Sequence, residues 1–238
     1  MKILFLFFLI VFLPLNIYPK TINVAVSIDF PPFSFVKNKQ LVGFDVDILK
    51  ELDKKLDDNI TFIPLRSNLI IPAISSNLAD IGAGGFNITE ERKKYVEFST
   101  PYLISGFILI SKKSFEKELT LENIGDANIG IYSSDLMVNL ANKAKIQNYM
   151  IFGSYKELFD SLISGEIEIM FIDYPYAQYI IRQYDNATFK RSESQYFKHD
   201  YAFLLNKDFQ YKEKFNNVLK KFLKSDIYKK IYLKWFSN

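Results

Sequence analysis

Apolar and polar positions along the chain change period in an orderly way from residue 21 onward. Ile22–Ile28 (INVAVSI) is rich in β-branched residues and predicts a buried strand. The next stretch, DFPPFSF, carries two prolines, which exclude helix or central strand. After a polar turn over residues 37–40, GFDVDILKELDKKL places Val46, Ile48, Leu49, Leu52 and Leu56 at near-helical spacing and predicts an amphipathic helix. A short strand over Ile60–Pro64, a helix near Leu69–Ser76 and a strand over Ala79–Ala83 follow. This alternation implies an open α/β sheet with mainly parallel strands.

The same grammar returns later. SYKELFDSLISGEIEIMFIDY predicts a helix over Tyr155–Ile163, a turn at Gly165 and a buried strand over Ile167–Ile172. Its counterpart is NLIIPAISSNLADIGAGGF in the first half. Two α/β lobes are therefore expected, the second starting near Phe107 and holding the strand-turn Ile129–Asp135. The segment Phe209 to Trp235 reads as helical, with Phe215, Val218, Leu219, Phe222 and Leu223 on one face and lysines opposite. Such lysines form a solvated face, so this segment is expected to pack.

The first residues differ in kind. Lys2 precedes the apolar run Ile3–Leu15, too short to span a bilayer comfortably and typical of a secretory leader. Residues 1–18 are read as that leader, with an uncleaved anchor as the alternative because Asn16–Pro19 offers no small-residue cleavage pattern. An exported chain without cysteine relies on its core rather than on disulfides, which suits a periplasm-like compartment.

Composition narrows the chemistry. With 238 residues, 49% hydrophobic and 24% charged, the chain has the make-up of a soluble globular protein. A net charge of +3 without an Arg-rich cluster argues against nucleic acid as a partner. One histidine and no cysteine exclude a multi-His metal site and make zinc improbable. Neither a P-loop nor a G-x-S-x-G elbow is present, so no cofactor or metal is expected. His199 reads as a structural or solvent-facing residue.

Ligands of open α/β sheets bind beyond the carboxyl ends of strands, which directs attention to three loops. In GGFNITEER, Thr89 is placed to cap a helix starting at Glu90, and the glycines permit close backbone approach. Backbone N–H groups of Gly85 and Asn87, with Arg92, would then form an anion site; the alternative is Arg92 pairing with Glu91 or Glu97 on a surface helix. In DFPPF, Phe30 and Phe33 flank a rigid turn as core or as ligand platform. In DYPYA, Asp173 is either a helix cap or a ligand contact.

Together these motifs resemble the bacterial extracellular solute-binding proteins of family 3, receptors of ABC importers for polar amino acids. The likeness runs through D-F-P-P-F-S-F, G-F-D-V-D-I-L, I-P-A-I-x-x-x-x-A-D-I, N-I-T-E-E-R-K-K-x-V-x-F-S-x-P-Y and Y-x-K-W-F, and covers nearly the whole chain after the leader. The resemblance implies a two-lobed periplasmic-binding-protein fold (type II), each lobe an open, mainly parallel sheet flanked by helices, joined by a two-strand hinge. Lobe one would hold residues 19–104 and 199–238, and lobe two residues 105–198. Arg92 would grip a ligand α-carboxylate, helped by Gly85, Asn87 and, from lobe two, Ser134. Asp173 would receive the α-ammonium, and Phe30 and Phe33 would line the side-chain pocket. The implied partners are an amino acid and an inner-membrane ABC permease, with the receptor itself a monomer. Binders of basic side chains in that family often carry an acid where Ser27 stands, which points away from Lys or Arg as ligand. An aromatic residue common near Ser67 is also missing. Some similar proteins are cyclohexadienyl dehydratases, for which Asp29 or Asp173 would have to supply the acid.

Overall fold

The computed structural model describes residues 21–56, 59–184 and 188–237; the leader expected over residues 1–18 lies outside them. The first strand, β1 (Thr21–Ser27), sends Ile22, Val24 and Val26 into one hydrophobic cluster and Ala25 into another, as the two-residue period of a strand requires. A small antiparallel meander follows, built from β2 (Asp29–Phe30), β3 (Ser34–Lys37) and β4 (Gln40–Val42). Helix α1 (Phe44–Asp53) then buries Val46, Ile48, Leu49 and Leu52. Next come β5 (Asn59–Leu65), α2 (Ser67–Ser75), β6 (Ile81–Ala83), the one-turn helix α3 (Glu90–Lys93) and β7 (Glu97–Phe98).

Strand β8 (Leu103–Lys112) carries the chain into the second sheet. That lobe adds β9 (Ile129–Tyr132), α4 (Asp135–Lys143), β10 (Tyr149–Phe152), α5 (Tyr155–Ser164), β11 (Ile169–Asp173), α6 (Tyr174–Ile181) and β12 (Phe189–Arg191). Helix α5 shows why the local pattern was readable. Ser154 and Glu157 form a reciprocal capping box, and Gly165 closes the helix in the left-handed conformation. The return strand β13 (Tyr196–Tyr201) runs antiparallel to β8, with Leu103 opposite Tyr201. After it come β14 (Leu204–Leu205), α7 (Lys212–Phe222) and α8 (Asp226–Phe236).

Two lobes result, each with its own sheet. The first has strand order β5-β1-β6-β14-β7, the second β10-β9-β11-β8-β12, with β13 on β8. Parallel pairs β1·β5, β1·β6, β9·β10 and β9·β11 make up one part of each sheet, and the crossing or returning strands add antiparallel pairs. The long C-terminal segment is two helices rather than one. Ser225 interrupts it and caps α8, its hydroxyl accepting from Tyr228 N at 3.3 Å. Helix α8 then meets both lobes: Lys234 and Trp235 each donate to Asp47 of α1 at 2.7 Å, and Arg182 after α6 donates to the Trp235 carbonyl at 3.0 Å.

Candidate functional site

Between the lobes lies a cavity of about 170 Å³, lined from one side by Asp29, Phe30, Ser67, the loop 84–87 and Arg92, and from the other by Tyr132, Ser134, Tyr155 and Asp173. Its cationic end begins with Thr89. The threonine hydroxyl accepts from Arg92 N at 3.2 Å and starts α3, which fixes the direction of the arginine side chain. Arg92 Nη1 donates to the Asn87 carbonyl at 2.8 Å, and the guanidinium lies 5.4 Å from the Phe86 ring centre. The surface pairing is not formed, because Glu91 binds Lys94 and Glu97 binds Lys212. Burial pulls the Arg92 pKa down, while Asp173, Tyr155 and Tyr201 act in the opposite sense. The guanidinium therefore faces a lobe-two carboxylate across the cavity.

The glycine loop works differently from the sequence expectation. Gly84 N and Gly85 N donate at 2.8 and 3.0 Å to Oδ2 of Asp45, a fully buried residue of α1. The Gly85 N–H is thus already engaged and does not point at a ligand carboxylate. Gly85 lines the cavity instead as bare backbone in the left-handed region (φ 65°), where an added Cβ would lie 2.5 Å from the Phe33 ring and 2.7 Å from Phe30. Asn87 keeps a donor close to the cavity: its side-chain Nδ2 is buried beside the Tyr201 hydroxyl without a bond of good geometry.

Phe30 and Phe33 part company. Phe30 lines the cavity, stacked on Tyr155 of the other lobe at 5.2 Å between ring centres. Phe33 is fully buried in the first lobe, packed against Tyr201 at 4.8 Å and Phe44 at 6.4 Å, and does not line the pocket. The pleat of the turn sends it beneath the Gly85 backbone, so it supports the loop from below. The aromatic surface missing near Ser67 is supplied from lobe two, where Tyr132 stacks on Tyr155 at 4.3 Å. Tyr132 ends β9 and Tyr155 opens α5 on the cavity side, close to the strand-end position that singled out the other loops.

Asp173 ends β11 at the start of α6, yet its side chain makes no cap bond. Its carboxylate accepts instead from the Tyr201 hydroxyl and, at 3.4 Å, from that of Tyr155. Burial raises its pKa, opposed by His199, the two tyrosines and Arg92. His199 is neither remote nor solvent-facing. It stands behind Asp173 with Nε2 3.8 Å from Oδ1, and Nδ1 lies 3.0 Å from the Phe197 carbonyl. Ser134 caps α4 by accepting from Met137 N at 3.2 Å, which leaves its own hydroxyl proton for the cavity.

Against this geometry, a sequence model of the bacterial extracellular solute-binding proteins, family 3, matches residues 22–238. The chain belongs to that family. This family member is 31% identical over 223 residues to the ABC transporter arginine-binding protein 1 of Escherichia coli K12, covering 90% of each chain. It is 30% identical to the arginine-binding periplasmic protein of Mannheimia haemolytica, covering 88% of each. Among solved structures, an ancestral arginine-binding protein bound to glutamine superposes with a TM-score of 0.79 at 32% identity, over 93% of this chain and all of that one. The solute-binding protein thus shares a two-lobed fold with proteins that hold small solutes.

Proposed function

We propose that this solute-binding protein captures an amino acid, or a closely related small zwitterion, between two closing lobes and delivers it to an ABC importer in the inner membrane. One observation carries the reading: a cationic fork from one lobe and a buried carboxylate from the other face the same cavity. An amino acid carries the complementary pair on one carbon, and both its charges need partners once water is excluded. Arg92 takes the α-carboxylate, with donors from Asn87 Nδ2 and the Ser134 hydroxyl. Asp173 takes the α-ammonium, which displaces or joins the tyrosine hydroxyls. Phe30 lines the pocket beside it.

The lobes comprise residues 19–104 with 199–238, and residues 105–198. Ligand contacts to both favour closure about β8 and β13. The protein acts as a monomer in the periplasm after export by its leader. A receptor is favoured over a dehydratase because its close relatives are named as binding proteins. Titration calorimetry against the twenty amino acids tests this: at least one binds, and Arg92→Ala weakens that ligand by about 30-fold or more with little change in thermal unfolding. Silence toward all twenty, or retained binding in the variant, overturns the assignment. Consumption of prephenate followed by its absorbance would instead establish the dehydratase.

A further inference from the structure

Arg92 and Asp173 account for the two charges every amino acid shares, and they leave one charged residue of the cavity without a role. Asp29, in β2, lines the cavity beside Phe30 and Ser67. Its Oδ1 is crowded. Ser67 approaches it through Oγ at 2.5 Å and through N at 3.2 Å, and Ser27 Oγ lies 2.8 Å away. The two hydroxyls also touch each other at 2.7 Å, so their two protons serve three oxygen–oxygen contacts. In every arrangement Oδ1 accepts two or three hydrogen bonds. Among the described residues none reaches Oδ2. The carboxylate is held from behind and offers one oxygen forward.

Charge counting then defines what fits. The cavity lining contains Arg92, Asp173 and Asp29, one cation and two anions. An α-carboxylate and an α-ammonium neutralise the first two and leave Asp29 unpaired. Asp29 is exposed to solvent, so it tolerates standing unpaired better than buried Asp173 would. Its charge still favours a ligand with a second cation at its far end over one with a neutral end. The kind of cation follows from the single free oxygen. A guanidinium presents a planar fork that is best met by both oxygens of a carboxylate. An ammonium is a compact charge that one oxygen satisfies. Tyr132, close enough to Asp29 for its hydroxyl pKa to be raised by that charge as well as by burial, provides an apolar face for the methylene stem.

We propose that Asp29, braced by Ser27 and Ser67, determines the specificity of the cavity and selects an amino acid whose side chain ends in a primary ammonium, lysine or ornithine, over a guanidinium or a neutral end. The proposal rests on the receptor reading above. It also reverses the inference drawn from Ser27: the acid stands two residues further along, and the serine is one of its supports.

Calorimetry of the wild-type protein with lysine, ornithine, arginine and glutamine, repeated on Asp29→Asn, tests it. Asparagine retains an oxygen for the serine donors but turns a donor, Nδ2, to where Oδ2 stood. The wild type binds lysine or ornithine at least about tenfold more tightly than arginine or glutamine, and Asp29→Asn lowers the ratio of lysine to glutamine affinity about 10- to 100-fold. Glutamine bound as tightly as lysine by the wild type, or an unchanged ratio in the variant, overturns the role of Asp29. Arginine bound as tightly as lysine overturns the preference for ammonium. In those cases the receptor reading stands. Failure of the wild type to bind any of the four overturns this proposal, and silence toward all twenty amino acids overturns the receptor reading with it.

Discussion

Asp45 in the first lobe and Asp173 in the second are both buried, at 0% and 5% exposure, and burial raises the pKa of each. Their partners differ in kind. Asp45 is tied through Oδ2 to the backbone N–H groups of Gly84 and Gly85, and the buried Tyr102 hydroxyl beside it acts on the same carboxylate. Asp173 meets side-chain hydroxyls from Tyr201 and Tyr155, with an imidazole behind. Backbone donors cannot turn away without remodelling the loop, whereas hydroxyls rotate. The first acid is therefore a brace that shapes the site, and the second is an acceptor that a ligand ammonium can share. Burial alone does not distinguish these roles; the mobility of the donors does.

The largest test of that contrast is the pH dependence of stability. Burial pushes Asp45 from 3.8 up to about 7. Between those values the folded protein holds a proton that the unfolded chain has released. The stabilisation is full below about pH 4, is lost as pH rises, and levels off above about pH 7. At roughly 1.4 kcal/mol per pH unit, the interval amounts to at most about 4 kcal/mol. Asparagine at 45 accepts both glycine N–H groups and carries no charge, so Asp45→Asn lacks this loss. Urea midpoints of the two proteins should separate between pH 4 and 8; parallel profiles would remove Asp45 from the account.

Asp173→Asn should act on the other property. An amide keeps an acceptor for the tyrosine hydroxyls but removes the countercharge of the α-ammonium, so amino-acid affinity falls about 10- to 100-fold. The unfolding temperature should not drop, because the desolvation of a carboxylate is removed with it. Asp45→Asn should change affinity less than this. If calorimetry finds equal losses in the two variants, the distinction between brace and acceptor fails.

The sequence carried those parts of this arrangement that are set within one helix turn or one strand. β1, α1, the Thr89 cap and the Gly165 terminus each follow from residues within a few positions of one another. The placement of Arg92 and Asp173 at the cavity was also legible, since Arg92 sits in the helix capped after the loop that leaves β6 and Asp173 ends the buried strand β11. What spacing hid depends on partners distant in the chain. The donors of Gly84 and Gly85 are taken by an acid some 40 residues earlier, so the loop does not grip through them. Phe30 and Phe33 are alike in sequence and separate only when one pleat faces the core. His199 reaches Asp173 because β13 pairs with β8 beside β11. The break at Ser225 was masked by an apolar pattern continuous across it.

The smallest effect is expected at Thr89, which steadies the cationic counterpart of Asp173. Helix α3 has only four residues, too few for its hydrogen bonds to support one another, so the cap is a large share of what holds it. Thr89→Ala removes the acceptor for Arg92 N and costs about 1 kcal/mol, a fall of about 2–4 °C in a domain of this size. Arg92 keeps its bond to the Asn87 carbonyl and its seat on Phe86, so its aim loosens without being lost. Affinity should fall less than tenfold, and Thr89→Ser should restore both quantities because serine supplies the same oxygen. A loss as large as that of Asp173→Asn would mean that the cap alone sets the position of the guanidinium, and that its contacts with Asn87 and Phe86 contribute little.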